Sequence, residues 1–117
     1  MWILDSNGNL VYDPWDWVFA YGQAGDIPVV GDWNGDGRDD VGAFRNGGQW
    51  ILDSNGSRVY EASDRVCYYG QASDIPVAGD WNGSRRGKMG VFRNGLWILD
   101  SNGSGWYDAL DWVFAYG

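Results

Sequence analysis

The sequence of 117 residues has no histidine, one cysteine and three prolines, and its 16 Asp and Glu outnumber its 8 Lys and Arg. Each shortage excludes something. Without histidine there is no imidazole to serve as base for a Ser or Cys nucleophile, and the commonest transition-metal ligand is missing. The single Cys67 forbids an intrachain disulfide. Because Phe19 and Phe114 hold the matching position elsewhere in the sequence, Cys67 is expected to be a small apolar core residue. A net charge of -8 repels nucleic acid and anionic membrane surfaces, which argues against both as partners. No apolar run approaches the roughly 20 residues of a membrane span. No basic and then apolar segment resembling a signal peptide opens the chain. Membrane insertion is therefore not expected, and the acidity suits a solvated extracellular or cation-binding surface.

What the sequence does have is repetition. The stretch Trp2-Ile-Leu-Asp-Ser-Asn-Gly8 returns at Trp50 and again at Trp97, offsets of 48 and 47. The same offset carries Asp26-Ile-Pro-Val-Val-Gly-Asp-Trp-Asn-Gly35 onto Asp74 to Gly83, and Asp16-Trp-Val-Phe-Ala-Tyr-Gly22 onto Asp64 to Gly70 and Asp111 to Gly117. One residue is lost where Gly47-Gly48 becomes Gly95. A period of this size marks a repeat architecture whose units bury a core by stacking on one another.

Each unit reads as four short strands between turn signals, with no helical periodicity, so the fold class is all-β. The first strand is predicted over Ile27 to Trp33, with Pro28 near its start, and the second over Asp40 to Arg45. Asn46-Gly47 predicts a hairpin, Gln49 to Asp53 the third strand, and Asn55-Gly56 the next hairpin. The fourth strand is expected over Arg58 to Tyr60, with Val66 to Tyr69 extending it or forming a separate piece. Four antiparallel strands per unit is the arithmetic of a β-propeller blade, with a stacked sandwich as the main rival. On this reading residues 1–25 are a half blade of third and fourth strands, 26–73 a full blade, and 74–117 a second full blade. Two and a half blades fall short of the roughly four to eight that close a propeller. Closure then requires several chains to assemble, or the sequence is a natural or designed piece of a longer repeat protein.

The one constellation with chemistry lies between the first and second strands, Asp32-Trp-Asn-Gly-Asp-Gly-Arg-Asp-Asp40. Side-chain oxygens fall at alternate positions, Asp32, Asn34 and Asp36; a glycine follows, and Asp40 closes the loop. Calcium takes six to eight oxygen ligands at about 2.3–2.6 Å, and alternate residues of a tight loop can face one centre. The opening matches an EF-hand loop at its first, third, fifth and sixth positions, which makes the Arg38 carbonyl the expected seventh-position ligand. The twelfth-position Glu of that motif is absent. The run from Gly31 to Phe44 resembles the FG-GAP or VCBS type of blade repeat found in integrin α-subunit propellers and secreted bacterial proteins. That resemblance implies a calcium-stabilised, extracellular propeller used in adhesion or recognition, with Asp32, Asn34, Asp36, Arg38 through its carbonyl, and Asp40 as metal ligands. The second copy departs from it, since Ser84, Arg85 and Lys88 replace Asp36, Gly37 and Asp40. That loop is not expected to bind calcium; the Lys88 ammonium or a nearby guanidinium pairing with Asp80 would take the place of the cation. The shorter runs at Asp5 to Asn9, Asp53 to Ser57 and Asp100 to Ser104 read as hairpin turns.

Nine Trp and seven Tyr offer flat apolar faces on which sugars stack. Trp2, Trp50 and Trp97 recur in register, as do Trp33 and Trp81, which points to packing between units. Trp15 and Trp106 have no aromatic counterpart and are candidate ligand or interface contacts. Three functions follow in order: a non-catalytic adhesion or structural-assembly module, a carbohydrate-binding propeller, and, last, an enzyme. The expected cofactor is calcium, and the expected partners are further copies of the chain and a glycan or protein ligand. Asp64 and Asp111, each set among aromatics, read as turn or cap residues rather than as an acid and a base.

Overall fold

Strand-forming residues separated by Gly, Asn and Asp turns give ten strands and, among the described residues, no helix; the computed structural model describes residues 1–116. Strands β1 (Trp2–Leu4) and β2 (Trp17–Phe19) form a two-stranded antiparallel sheet. Strands β3 (Ile27–Gly31), β4 (Asp40–Arg45), β5 (Gln49–Leu52) and β6 (Arg65–Tyr68) form the first four-stranded sheet. Strands β7 (Ile75–Gly79), β8 (Lys88–Arg93), β9 (Leu96–Leu99) and β10 (Trp112–Ala115) form the second. Every strand pairs antiparallel with its sequence neighbour, so each sheet is a meander. The three sheets do not close into a ring. Pro28 is the second residue of β3, a strand at the sheet edge, where its missing N–H is tolerated.

The register explains the core. Trp50 stands opposite both Phe44 and Cys67, and its ring meets Phe44 edge to face at 5.3 Å between centroids. These three, with Val29, Trp33 and Leu52, make one face of the first four-stranded sheet, packed against Met89, Val91 and Ile98 of the second. The opposite face, Val41 and Ile51, packs against Trp2, Leu4 and Phe19 of the two-stranded sheet. Period-2 alternation thus gives the first four-stranded sheet two buried faces, one for each neighbour. Trp50 is fully buried, so truncation to Ala is expected to cost about 3–5 kcal/mol. Cys67 is a buried member of this core, as its alignment with phenylalanine implies.

Several local expectations need correction. The fourth strand is Arg65–Tyr68, not Arg58 to Tyr60, because the Asp53 carboxylate captures the backbone N–H groups of Ser57 and Arg58 at 3.2 and 2.7 Å. Arg58 is thereby held at φ 65°, which no strand residue adopts. Asn55-Gly56 is accordingly not a two-residue hairpin but part of the connection from β5 to β6. The first strand stops at Gly31 and the third at Leu52, where Asp32 and Asp53 begin these carboxylate-centred loops. At the Asn46 hairpin the positive φ angles fall on Gly47 and Gly48, whereas the shorter second copy places them on Asn94 and Gly95. The extra glycine is an inserted loop residue that leaves the flanking register intact, Arg45 opposite Gln49 and Arg93 opposite Leu96.

Candidate metal centre

The loop from Asp32 to Asp40 joins β3 to β4 and is shaped by its own side chains. Asp32 accepts the N–H groups of Gly35 (2.8 Å), Asp36 (3.0 Å) and Gly37 (2.9 Å). Asn34 accepts from Asp36 N–H at 3.1 Å, and Asp36 accepts from Arg38 N–H at 2.8 Å. Gly37 sits at φ 89°, a conformation glycine adopts without strain. The Asn34 amide also donates to the Ser54 carbonyl at 2.8 Å, tying the loop to the one that follows β5.

Asp40 starts β4 and is half-buried. Its Oδ2 is buried without a hydrogen-bond partner. Burial, then repulsion from Asp36, Asp53, Asp32 and Asp39, pushes its pKa up to about 6. Among the described residues Asp40 makes no ion pair. Among the described residues no three His, Cys, Asp or Glu side chains stand close enough together to hold a metal ion as they lie. The donor pattern and this spacing disagree, and mutual repulsion of the carboxylates acts in the direction that separates them. The orphaned Asp40 oxygen is the feature that fits a cation.

The second copy places a positive charge where the first has none. Lys88, buried at the start of β8, donates its Nζ to Asp80 Oδ1 at 2.9 Å, Ser84 Oγ at 2.6 Å and the Arg86 carbonyl at 2.8 Å. These acceptors match Asp32, Asp36 and the Arg38 carbonyl, the first, fifth and seventh positions of the loop. Among the described residues Asp80 is the carboxylate that pairs with this ammonium, and the hydrogen bond lowers the Asp80 pKa. Arg85 takes the place of Gly37 and remains at positive φ, 71°, a strained setting for a side-chain-bearing residue.

Asp53, expected from the sequence to be a turn residue, is a neighbour of this loop. It is fully buried, its pKa is raised chiefly by burial, and its charge bears on Asp40. Its recurrence as Asp5 and Asp100 was the available signal. Beside it, an open cleft of about 550 Å³ between the two-stranded sheet and the first four-stranded sheet is lined by Trp17, Asp36, Asp39, Asp40, Asp53 and Arg58. The Arg58 guanidinium closes over the Trp17 ring at 3.9 Å.

Asp64 and Asp111 cap their turns by accepting from Glu61 N–H and Asp108 N–H, and each also accepts a tyrosine hydroxyl at 2.9 Å, from Tyr21 and Tyr69. These bonds tie consecutive sheets together. Trp15 and Trp106 are exposed, in the β1–β2 and β9–β10 connections respectively. They occupy different positions of the repeat, and neither lines the cleft beside the Asp32–Asp40 loop.

The fold and site define an all-β repeat protein of antiparallel meander sheets. Searches against family models, curated proteins and solved structures find no match.

Proposed function

We propose that the chain is a non-catalytic, calcium-stabilised β-propeller repeat module of the FG-GAP or VCBS kind, serving adhesion, recognition or structural assembly outside the cell. The observation that carries this reading is the pairing of two sister loops. In one, Lys88 supplies a positive charge to the first, fifth and seventh loop positions. In the other, the same positions surround no cationic side chain, and Asp40 keeps a buried, unpartnered oxygen. Asp32, Asn34, Asp36, the Arg38 carbonyl and Asp40 are the groups that would hold the ion. Bound there, calcium supplies the charge that offsets carboxylate repulsion at the mouth of β3 and β4, a stabilising rather than a chemical role.

Isothermal titration with calcium tests this directly. One site per chain is expected, lost in Asp40→Asn and retained in Lys88→Met. Two sites, or a heat unchanged by Asp40→Asn, would overturn the assignment. The exposed Trp15 and Trp106 rings favour a carbohydrate-binding propeller as the second reading. Glycan-array signal abolished by Trp15→Ala or Trp106→Ala would move that reading ahead.

A further inference from the structure

The contacts between consecutive sheets are repeated, and one set of them is left half-made at each end of the molecule. Between the two-stranded sheet and the first four-stranded sheet, Tyr21 donates to Asp64, Arg58 covers Trp17, and Trp2, Leu4 and Phe19 pack on a face containing Ile51. Between the two four-stranded sheets, Tyr69 donates to Asp111, Arg65 reaches the Gly103 carbonyl beside Gly105, and Trp50, Leu52 and Cys67 pack in one cluster with Ile98. Sequence position by sequence position these are the same contacts, displaced by one repeat.

The next set would begin with Tyr116, Trp112, Trp97 and Phe114. Trp97 Nε1 donates to the Tyr116 carbonyl at 3.1 Å, as Trp2 does to Tyr21 and Trp50 to Tyr69, so the third tyrosine is fixed on its sheet in the same way. Yet Tyr116 is 76% exposed, against 7% for Tyr21 and 2% for Tyr69. The complementary groups lie at the other end of the molecule. Asp16 matches Asp64 and Asp111 and makes the same turn-capping bond, from Asp13 N–H, but receives no tyrosine hydroxyl. Ile3 matches Ile51 and Ile98 and is 59% exposed, where they are 6% and 9%. Leu10, at the position of Arg58 and Gly105, is also exposed.

We propose that a second copy of this chain docks head to tail on the β8–β10 face. The hydroxyl of Tyr116 then donates to Asp16 of the next copy, Trp112 covers its Leu10, and Phe92, Trp97 and Phe114 bury its Ile3. Because the two-stranded sheet has no counterparts of β3 and β4, the partners of the Met89 and Val91 packing are missing, and this contact is smaller than the internal ones. It is heterologous, so it propagates into a closed ring or an open filament. The inference deepens the assembly role proposed above but does not depend on the metal.

Light scattering on the full chain tests it, in excess calcium and again in chelator. The wild type is expected to exceed monomer mass as concentration rises. Phe114→Glu blocks one surface and Ile3→Glu the other, so each variant alone should be monomeric. An equal mixture of the two should form a dimer and nothing larger. Tyr116→Phe removes one exposed hydroxyl without touching the core and should weaken association about tenfold, the scale of one charge-assisted hydrogen bond. A wild type that stays monomeric, a mixture that does not associate, or an Ile3→Glu variant that still pairs face to face would each overturn the proposal. A calcium-silent titration alongside a mixed dimer would sink the metal reading alone, and the converse would sink the docking alone.

Discussion

The loops at Asp32 to Asp40 and Asp80 to Lys88 share a strand–loop–strand frame and differ in where their positive charge comes from. Both begin with an Asp that gathers backbone N–H groups, and both tie back through an Asn, Asn34 or Asn82, to a serine carbonyl at 2.8 Å. In the second loop a covalently attached ammonium meets the Asp80 carboxylate, whereas among the described residues no ammonium or guanidinium forms an ion pair with a carboxylate of the first. A charge delivered by a side chain makes a loop self-sufficient. On the function proposed above, carboxylates left without one would make a loop whose stability depends on the ion concentration around it.

Exchanging the loops would break this distinction most sharply. Asp36→Ser, Gly37→Arg and Asp40→Lys together should abolish the response of the protein to calcium. In wild type, calcium at 100 times its dissociation constant should stabilise by about 2.7 kcal/mol, seen as a melting temperature that chelator lowers by roughly 10 °C. A chelator shift surviving the triple change would show that the ion binds elsewhere.

Next, Lys88→Met should destabilise the chain in denaturant titrations, since it removes the ammonium that Asp80, Ser84 and the Arg86 carbonyl all accept from. The matching change in the other loop, Asp40→Asn, should have the opposite sign in chelator and stabilise by about 1 kcal/mol, because it removes a carboxylate with no partner. Equal signs for the two variants would erase the contrast.

One pair of matching contacts should respond alike to acid in the two four-stranded sheets. Asp26 and Asp74 are both held below the ordinary carboxylate range, first by hydrogen bonds from Arg45 and Arg93. Their folded pKa is depressed, so the stability they contribute is present above the unfolded value, near 3.9, and is lost as pH falls through the lower folded value. Arg45→Gln and Arg93→Gln should flatten the stability profile below about pH 4 to the same extent. The smallest effect belongs to Arg85→Gly, which relieves a positive φ and should stabilise by about 0.5 kcal/mol.

Much of the local design was legible. The period located all three units, the Asp-Asn-Gly runs located the turns, and the Lys88 substitution already implied a built-in cation. What failed was the Arg58 to Tyr60 part of the fourth strand, while Val66 to Tyr69 falls on the strand that forms; β-propensity at Val59 and Tyr60 lost to carboxylate capture at Asp53, an outcome that depends on three-dimensional hydrogen bonding. The approach of Asp53 to the Asp32–Asp40 loop was likewise invisible, since the two lie on different turns brought together only by the pairing of β4 with β5.

By itself the sequence determined the repeat, the all-β class and the donor pattern of the loop, because these rest on local spacing and residue type. Only the tertiary structure decided which faces are covered, which carboxylate is left with a buried unpartnered oxygen, and which tyrosines find an aspartate. Those outcomes depend on which sheet lies next to which, so chemically identical residues such as Tyr69 and Tyr116 end in different states.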